Sequence, residues 1–327
     1  MEGIIAAWGR ILSGRVPALS IEITKECPLR CPGCYAYGDD HLGGEVTLRE
    51  LRDFKGQELI DKVLETVDRL KPLHVSLVGG EPLVRYKELD AILPELAKRR
   101  IHTQLVTSAV REIPKQWRGI FRLSIVVSID GLQPEHDERR KPATYERILK
   151  HIEGHTITVH STITRQQVNR DGYFDDFLKF WSANPAVEKI WYSLYTPQIG
   201  EMSDERLRPA DRERVVADLM ALRVKYPKLA LPKGLIEVYA EPPASPDECV
   251  FAKTTMTLSS DLKTKITPCQ YGGAPDCTQC GCIASAGLAA VARHELFGFI
   301  PVGTIFNGSL KVGESMRRFR PAAEPAA

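Results

Sequence analysis

The sequence predicts an α/β protein, a partial (β/α)6 TIM-like barrel with a small C-terminal extension, and three observations carry that expectation. Short β-rich runs alternate with helical patterns from Leu19 to about residue 197, as parallel strands joined by crossover helices do. The strand runs number six, which suits an incomplete barrel better than a closed eight-stranded one. The eight cysteines fall in two groups, three just after the first strand and five beyond residue 248, outside the repeating unit.

Taken in order, residues 1–17 place Ile4, Ile5, Trp8, Ile11 and Leu12 at helical spacing with Arg10 and Arg15 among or after them. This predicts an amphipathic helix that either packs on the main domain or docks on a membrane surface. The core barrel is expected over 18–199, with strands at 19–24, 74–78, 102–107, 123–129, 158–163 and 190–195, and helices starting near Leu48, Lys87, Ile113, Thr144 and Tyr173. Residues 200–246 read as a helical connector, with a charged helix over 212–226 and a Pro-rich run at Pro242, Pro243 and Pro246. The second cysteine group occupies 247–300 and includes an apolar helix over 283–296. A polar tail with Arg317, Arg318 and Arg320 fills 301–327, and the residues after Pro321 are expected to be disordered.

The chain has 327 residues, 43% hydrophobic and 26% charged, enough to bury a substantial core. Lys and Arg number 44 against 42 Asp and Glu, so no basic field exists to gather phosphates and no nucleic-acid partner is indicated. No apolar run is long enough to cross a bilayer and the N-terminus lacks the pattern of a secretory signal, which makes a cytoplasmic location the expectation. In a reducing compartment eight cysteines point to metal or catalytic chemistry rather than to disulfides.

Cys27-Pro-Leu-Arg-Cys31-Pro-Gly-Cys34-Tyr35 leaves the C-terminal end of the first strand, the rim of a parallel barrel where reactive chemistry collects. Three thiolates on one loop can hold three irons of a [4Fe–4S] cube and leave the fourth iron open to a ligand. The alternative is a zinc knuckle, with His41 completing a tetrahedron. The C-x3-C-x2-C-aromatic loop resembles the signature of the radical S-adenosylmethionine (radical SAM) superfamily. That resemblance implies S-adenosylmethionine on the open iron, its reductive cleavage to a 5′-deoxyadenosyl radical, and hydrogen abstraction from a substrate.

Further residues match the family in the right order. Gly79-Gly80-Glu81-Pro82, ending the second strand, is similar to the segment that meets the methionine amino group. Ser128-Ile129-Asp130-Gly131 followed by His136-Asp137-x-x-Arg140 is similar to a run found in members with a C-terminal cluster domain. The resemblance implies a ribose or carboxylate contact from Ser128, and Arg140 suits the methionine carboxylate because a guanidinium matches a carboxylate bidentately. The alternative for Arg140 is a solvated charge beside Arg139 and Lys141. Tyr35 sits where the family places an aromatic against adenine. Thr107-Ser108-Ala109 departs from the Thr-Asn-Gly of many relatives and leaves Ser108 as a candidate ribose contact.

Cys249 and Cys269 flank a segment that reads as two strands joined by a Ser-Ser-Asp turn, and Cys277, Cys280 and Cys282 follow. This resembles the start of SPASM or twitch extensions, which carry auxiliary clusters. Five cysteines suffice for one four-ligand [4Fe–4S] cluster with one spare, and a structural zinc site is the alternative. The expected activity is hydrogen abstraction from a peptide, small-molecule or lipid substrate, with a reductase such as flavodoxin or ferredoxin as electron source. The rival of a different class is a non-catalytic metal protein, against which Gly79–Pro82 argues, since an electron carrier needs no cosubstrate segment.

Overall fold

The computed structural model describes residues 2–142, 145–296 and 298–318. In chain order the elements are α1 (Glu2–Leu12), β1 (Ala18–Glu22), α2 (Gly56–Leu70), β2 (His74–Val78), α3 (Tyr86–Lys98), β3 (His102–Thr107), β4 (Leu123–Ser128), α4 (Glu135–Arg139), α5 (Tyr145–His151) and β5 (Ile157–Ile163). Then follow α6 (Arg165–Val168), α7 (Tyr173–Ala183), β6 (Val187–Leu194), α8 (Pro209–Lys225), α9 (Lys233–Ala240), α10 (Val250–Thr254), β7 (Thr255–Leu258), α11 (Ile283–Arg293), the hairpin β8 (Glu295–Leu296) and β9 (Ile300–Pro301), and α12 (Val302–Arg318).

One parallel sheet runs in the order β6-β5-β4-β3-β2-β1-β7. Its first six strands lie within a few residues of the segments that the alternation picks out. Because the strands are covered by crossover helices, their apolar side chains are shut from solvent: Leu19, Ile21, Leu77, Leu105, Val127, Val159 and Ile190 are fully buried. The parallel alignment brings the C-terminal ends of β1 to β6 to one rim.

The seventh strand is a finding. The segment between Cys249 and Cys269 is not a two-stranded hairpin: α10 comes first, and β7 joins the main sheet, with Ile21 opposite Leu77 on one side and Leu258 on the other. The Ser-Ser-Asp turn does form, with Ser259 N donating to Thr264 O and Ile266 N to Thr257 O. The return arm stops at a single bridge, Leu258 to Lys265, and Pro268 has no N–H to carry a ladder on.

Other expectations are corrected. Near Leu48 there is only a 3-10 turn over Leu48–Glu50, closed when Glu50 accepts from Thr47 N at 2.6 Å, and the helix starts at Gly56. At Ile113 the helix shrinks to Lys115–Trp117, bounded by Pro114 and Gly119. The start at Thr144 lies outside the described residues. Residues 200–246 are more than a connector, since α8 and α9 pack on each other and α9 packs on α11, burying Leu235, Ile236, Val238 and Tyr239. Residues 302–318 form a helix rather than a polar tail. Its Gly303 and Gly313 lower helix propensity but permit close contact, because a Cβ on them would collide with Ala292 and with the Ile11 carbonyl. The stretch after Pro321 lies outside the described residues.

Candidate active site at the C-terminal rim of the sheet

The neck of the first cysteine loop is clamped by residues distant in sequence. Arg85, buried just after the Gly79–Pro82 segment, donates to Asp53 at 2.7 Å and to Glu26 at 3.0 Å. Asp53 also accepts from Thr24 Oγ1 at 3.0 Å and Lys25 N at 3.3 Å, fixing the three residues before Cys27. Hydrogen bonding from Arg85 and Lys55 pulls the Glu26 carboxyl down to about 2. On the other side Gly80 N and Glu81 N donate to Thr24 O and Glu26 O, both at 2.8 Å. The approach is so close that a Cβ on Gly79 or Gly80 would press into the 22–26 backbone, and Gly79 has a φ of 123°.

Glu81 is buried and its hydrogen bonds go to the chain itself. It accepts from Leu83 N at 2.9 Å, from Ser108 N at 2.7 Å and from the Thr107 hydroxyl, so it ties the end of β2 to the end of β3. Burial raises its pKa, and these bonds oppose the rise. Pro82 opens a 3-10 turn below it. Ala109 takes a φ of 46°, a position that favours glycine, and this gives physical content to the departure from Thr-Asn-Gly.

At the end of β4, Ser128 and Asp130 are buried. Asp130 accepts from Arg140 Nε at 2.8 Å, from Thr162 N at 3.2 Å and from Arg139 Nη1. Burial opposes its charge, yet the two guanidinium groups hold its carboxyl far below the usual range. Arg140 also donates to Ser108 Oγ at 2.8 Å, so Ser108, Asp130 and Arg140 form one group. Arg140 is therefore not a solvated charge. Nor is Arg139, which sequence reasoning passed over: it grips Glu205 through two bonds at 2.7 and 3.0 Å.

Cys27, Cys31 and Cys34 emerge between these two networks. Burial pushes the Cys27 thiol up to about 11, against a hydrogen bond from Leu29 N at 3.4 Å, and the other two cysteines push in the same direction. Burial raises Cys31 as well, opposed by nearby Arg140. Three half-buried thiols on one loop are a donor set that fits an iron–sulfur cluster, and the backbone bond to the Cys27 sulfur is of the kind that tunes such clusters.

All five cysteines of the second group, Cys249, Cys269, Cys277, Cys280 and Cys282, line one pocket. Burial raises Cys269 to about 12 and Cys277 to about 11. Ser285 Oγ lies 3.2 Å from Cys249 Sγ, and Gln270 Nε2 donates to Cys282 Sγ at 3.3 Å. Gly281 lets this wall lie flat on β6, with Leu194 N donating to Gly281 O at 2.9 Å. Five thiols around one pocket, with polar hydrogen-bonding groups beside two of them, are a donor set that fits an iron–sulfur cluster. Among the described residues no three His, Cys, Asp or Glu side chains converge closely enough to hold a single metal ion.

His41 connects the two regions. Its Nε2 lies 2.8 Å from Glu22 Oε1 and its Nδ1 3.0 Å from Tyr271 O, while Ser259 Oγ donates to the other Glu22 oxygen at 2.6 Å. Both ring nitrogens face acceptors, so the ring carries two protons. Burial works against that charge, and Glu22 outweighs it to raise the pKa. With both nitrogens engaged, His41 does not complete a zinc site on the first loop. Tyr35 packs 5.6 Å from His41 and 5.2 Å from Tyr271, on the side of the loop that faces the second cysteine group.

A parallel α/β sheet with a three-thiol loop on its rim defines the class, an iron–sulfur enzyme of the incomplete-barrel type. A family model described as the Radical SAM superfamily, whose members use a [4Fe–4S] cluster and S-adenosylmethionine, matches residues 21–164. The chain is 24% identical over 288 residues to a "Probable GTP 3',8-cyclase" of Archaeoglobus fulgidus, covering 80% of this chain and 87% of that one. It is 35% identical over 94 residues to "PqqA peptide cyclase" of Bradyrhizobium diazoefficiens, covering 28% of this chain and 22% of that one. In fold it resembles Streptococcus suis SuiB bound to precursor peptide SuiA, with a TM-score of 0.59 at 17% identity over 83% of this chain and 63% of that one. It also resembles "Native anSMEcpe with bound AdoMet", with a TM-score of 0.55 at 16% identity over 78% and 75%. Among the described residues no helix is long and apolar enough to cross a membrane.

Proposed function

We propose that Cys27, Cys31 and Cys34 hold the catalytic cluster, and that the chain cleaves S-adenosylmethionine there and takes a hydrogen atom from a substrate bound at the same rim. The observation that carries this reading is the close strapping of Gly79–Glu81 to the residues just before Cys27, which puts a cosubstrate-type backbone against the thiol loop. When bound, the cluster supplies one electron to the sulfonium and so frees the 5′-deoxyadenosyl radical. The chain supplies position. Ser108 and Asp130 hold the Arg140 guanidinium at the rim to meet the methionine carboxylate, and Glu81 fixes the strand end that carries Ser108. Ser128 offers a hydroxyl toward the ribose, and Tyr35 an aromatic face for adenine.

Cys249, Cys269, Cys277, Cys280 and Cys282 supply the ligands of a second [4Fe–4S] cluster, with one cysteine spare. The core of the reading covers 18–199, and the second cysteine group 247–300. The substrate is a peptide, a small molecule or a lipid. A peptide draws support from PqqA peptide cyclase and from SuiB with its precursor, a small molecule from the GTP cyclase relative. A flavodoxin- or ferredoxin-like reductase supplies the electron.

The test is a variant with Cys27, Cys31 and Cys34 all changed to Ala. The parent, reconstituted anaerobically and reduced, is expected to release 5′-deoxyadenosine and to hold about eight irons. The variant should release none and keep about four, by the composition of [4Fe–4S] clusters. Cleavage by the variant at the parent's rate sinks the assignment of the catalytic loop, and zinc in place of the retained irons, with both metals offered, sinks that of the second cluster.

A further inference from the structure

Helix α1 shows solvent the wrong face. From Ile5 onward, where exposure is described, its exposed positions are Ile5, Ala6, Gly9 and Leu12, with Ile5 64% and Leu12 43% exposed, while the partly buried side holds Arg10. A helix on an aqueous surface turns its polar residues outward. α1 packs on α12, where Gly313 lies against the Ile11 carbonyl, and α12 in turn exposes Val312 (51%) and Met316 (45%) beside that glycine. Phe299, at the turn of the hairpin that leads into α12, is 72% exposed. Of the thirteen exposed large apolar side chains among the described residues, six lie in α1 or between Val291 and Met316, a small fraction of the chain, which makes this a concentration rather than scatter.

Charge identifies the occupant. Among the described side chains of this end Arg10, Arg15, Arg293 and Lys311 stand against Glu295 and Glu314, and in sequence residues 1–15 and 293–327 hold seven basic against four acidic residues, whereas the rest of the chain carries one more acid than base. We propose that the α1–α12 pair docks on an anionic lipid bilayer, with Ile5, Leu12, Val312 and Met316 entering the headgroup boundary and Arg15, Arg293 and Lys311 meeting lipid phosphates. A second copy of the chain is the poorer occupant, because a two-fold contact through this end would bring two positive surfaces together. An anionic interface satisfies the apolar face and the charge surplus at once.

The test uses the full chain with its clusters reconstituted, spun with phosphatidylcholine–phosphatidylglycerol vesicles or with phosphatidylcholine vesicles alone. The mixed vesicles should carry the protein down, with a partition coefficient at least about tenfold above that for neutral vesicles. Ile5→Asp/Leu12→Asp and Val312→Asp/Met316→Asp should each lower it at least about tenfold, and the milder Ile5→Ser/Leu12→Ser should lower it less. S-adenosylmethionine cleavage in solution should match the parent in all three, since these side chains lie outside the site. Binding that survives both Asp pairs, binding indifferent to phosphatidylglycerol, or no binding to either vesicle overturns the proposal. So does a dimer, seen by light scattering, that the same substitutions split while vesicle binding is absent.

Discussion

Asp130 is held charged by two arginines, and two histidines near it are held neutral. His136 accepts from Asp130 N at 3.2 Å through Nδ1, and His160 pairs with Ser193 Oγ at 2.8 Å. Burial, reinforced by Arg140, depresses each ring to about 4. The unfolded chain protonates such rings near the ordinary value of about 6.5, so their contribution is whole above that pH and is lost as pH falls toward 4, by roughly 3 kcal/mol for the fully buried His136 and by less for the partly buried His160. His41 runs the other way: its raised pKa makes its contribution whole below the unfolded value and lost as pH rises through the folded one. Urea unfolding of the cluster-free chain should show stability falling between about pH 6.5 and 4, with His160→Asn shallowing that slope. An unchanged slope in the variant means that His160 is charged in the fold. The cysteine positions were legible because a ligand loop is a local pattern. The clamps Arg85–Asp53 and Arg139–Glu205 were not, since they join charges 32 and 66 residues apart that read as solvated in sequence.

Elements whose signal is local were read to within a few residues. β2 and β3 match the expected spans because their alternation is uninterrupted, and Pro72 and Gly79 bound β2. α12 was missed for the opposite reason, since three glycines hide a helix whose stability comes from contact with α1 and α11. β7 was read as half of a hairpin, because the choice between pairing with its own return arm and pairing with β1 is decided by tertiary packing, which sequence periodicity does not record. The turn at Gly281 gives a prediction at this scale. Gly281→Ala would drive a methyl into the Leu194 backbone and lift Cys280 and Cys282 off β6. Iron should fall from about eight toward about four per chain while 5′-deoxyadenosine release persists. Full iron in that variant would show that the cavity wall tolerates the shift.

Across the whole molecule, the C-terminal cysteine region and the barrel are one structure. β7 covers the outer edge of β1, and Glu22 at the end of β1 is shared between His41 and Ser259, one from each region. A chain cut after residue 246 loses that cover, so it should expose an unpaired strand edge and aggregate, whereas Cys249→Ala in the full chain should stay monodisperse. Comparable solubility of the two by gel filtration would mean that the sheet does not depend on β7. The shared edge also bears on how the protein is made. β1 leaves the ribosome roughly 235 residues ahead of β7, about 10–50 s at ordinary elongation rates, and throughout that interval the strand leading into the Cys27–Cys34 loop has one side without a partner. Nascent chains are thus obliged to wait, and a holdase bound to that open side during translation would delay closure of the rim until the last strand arrives.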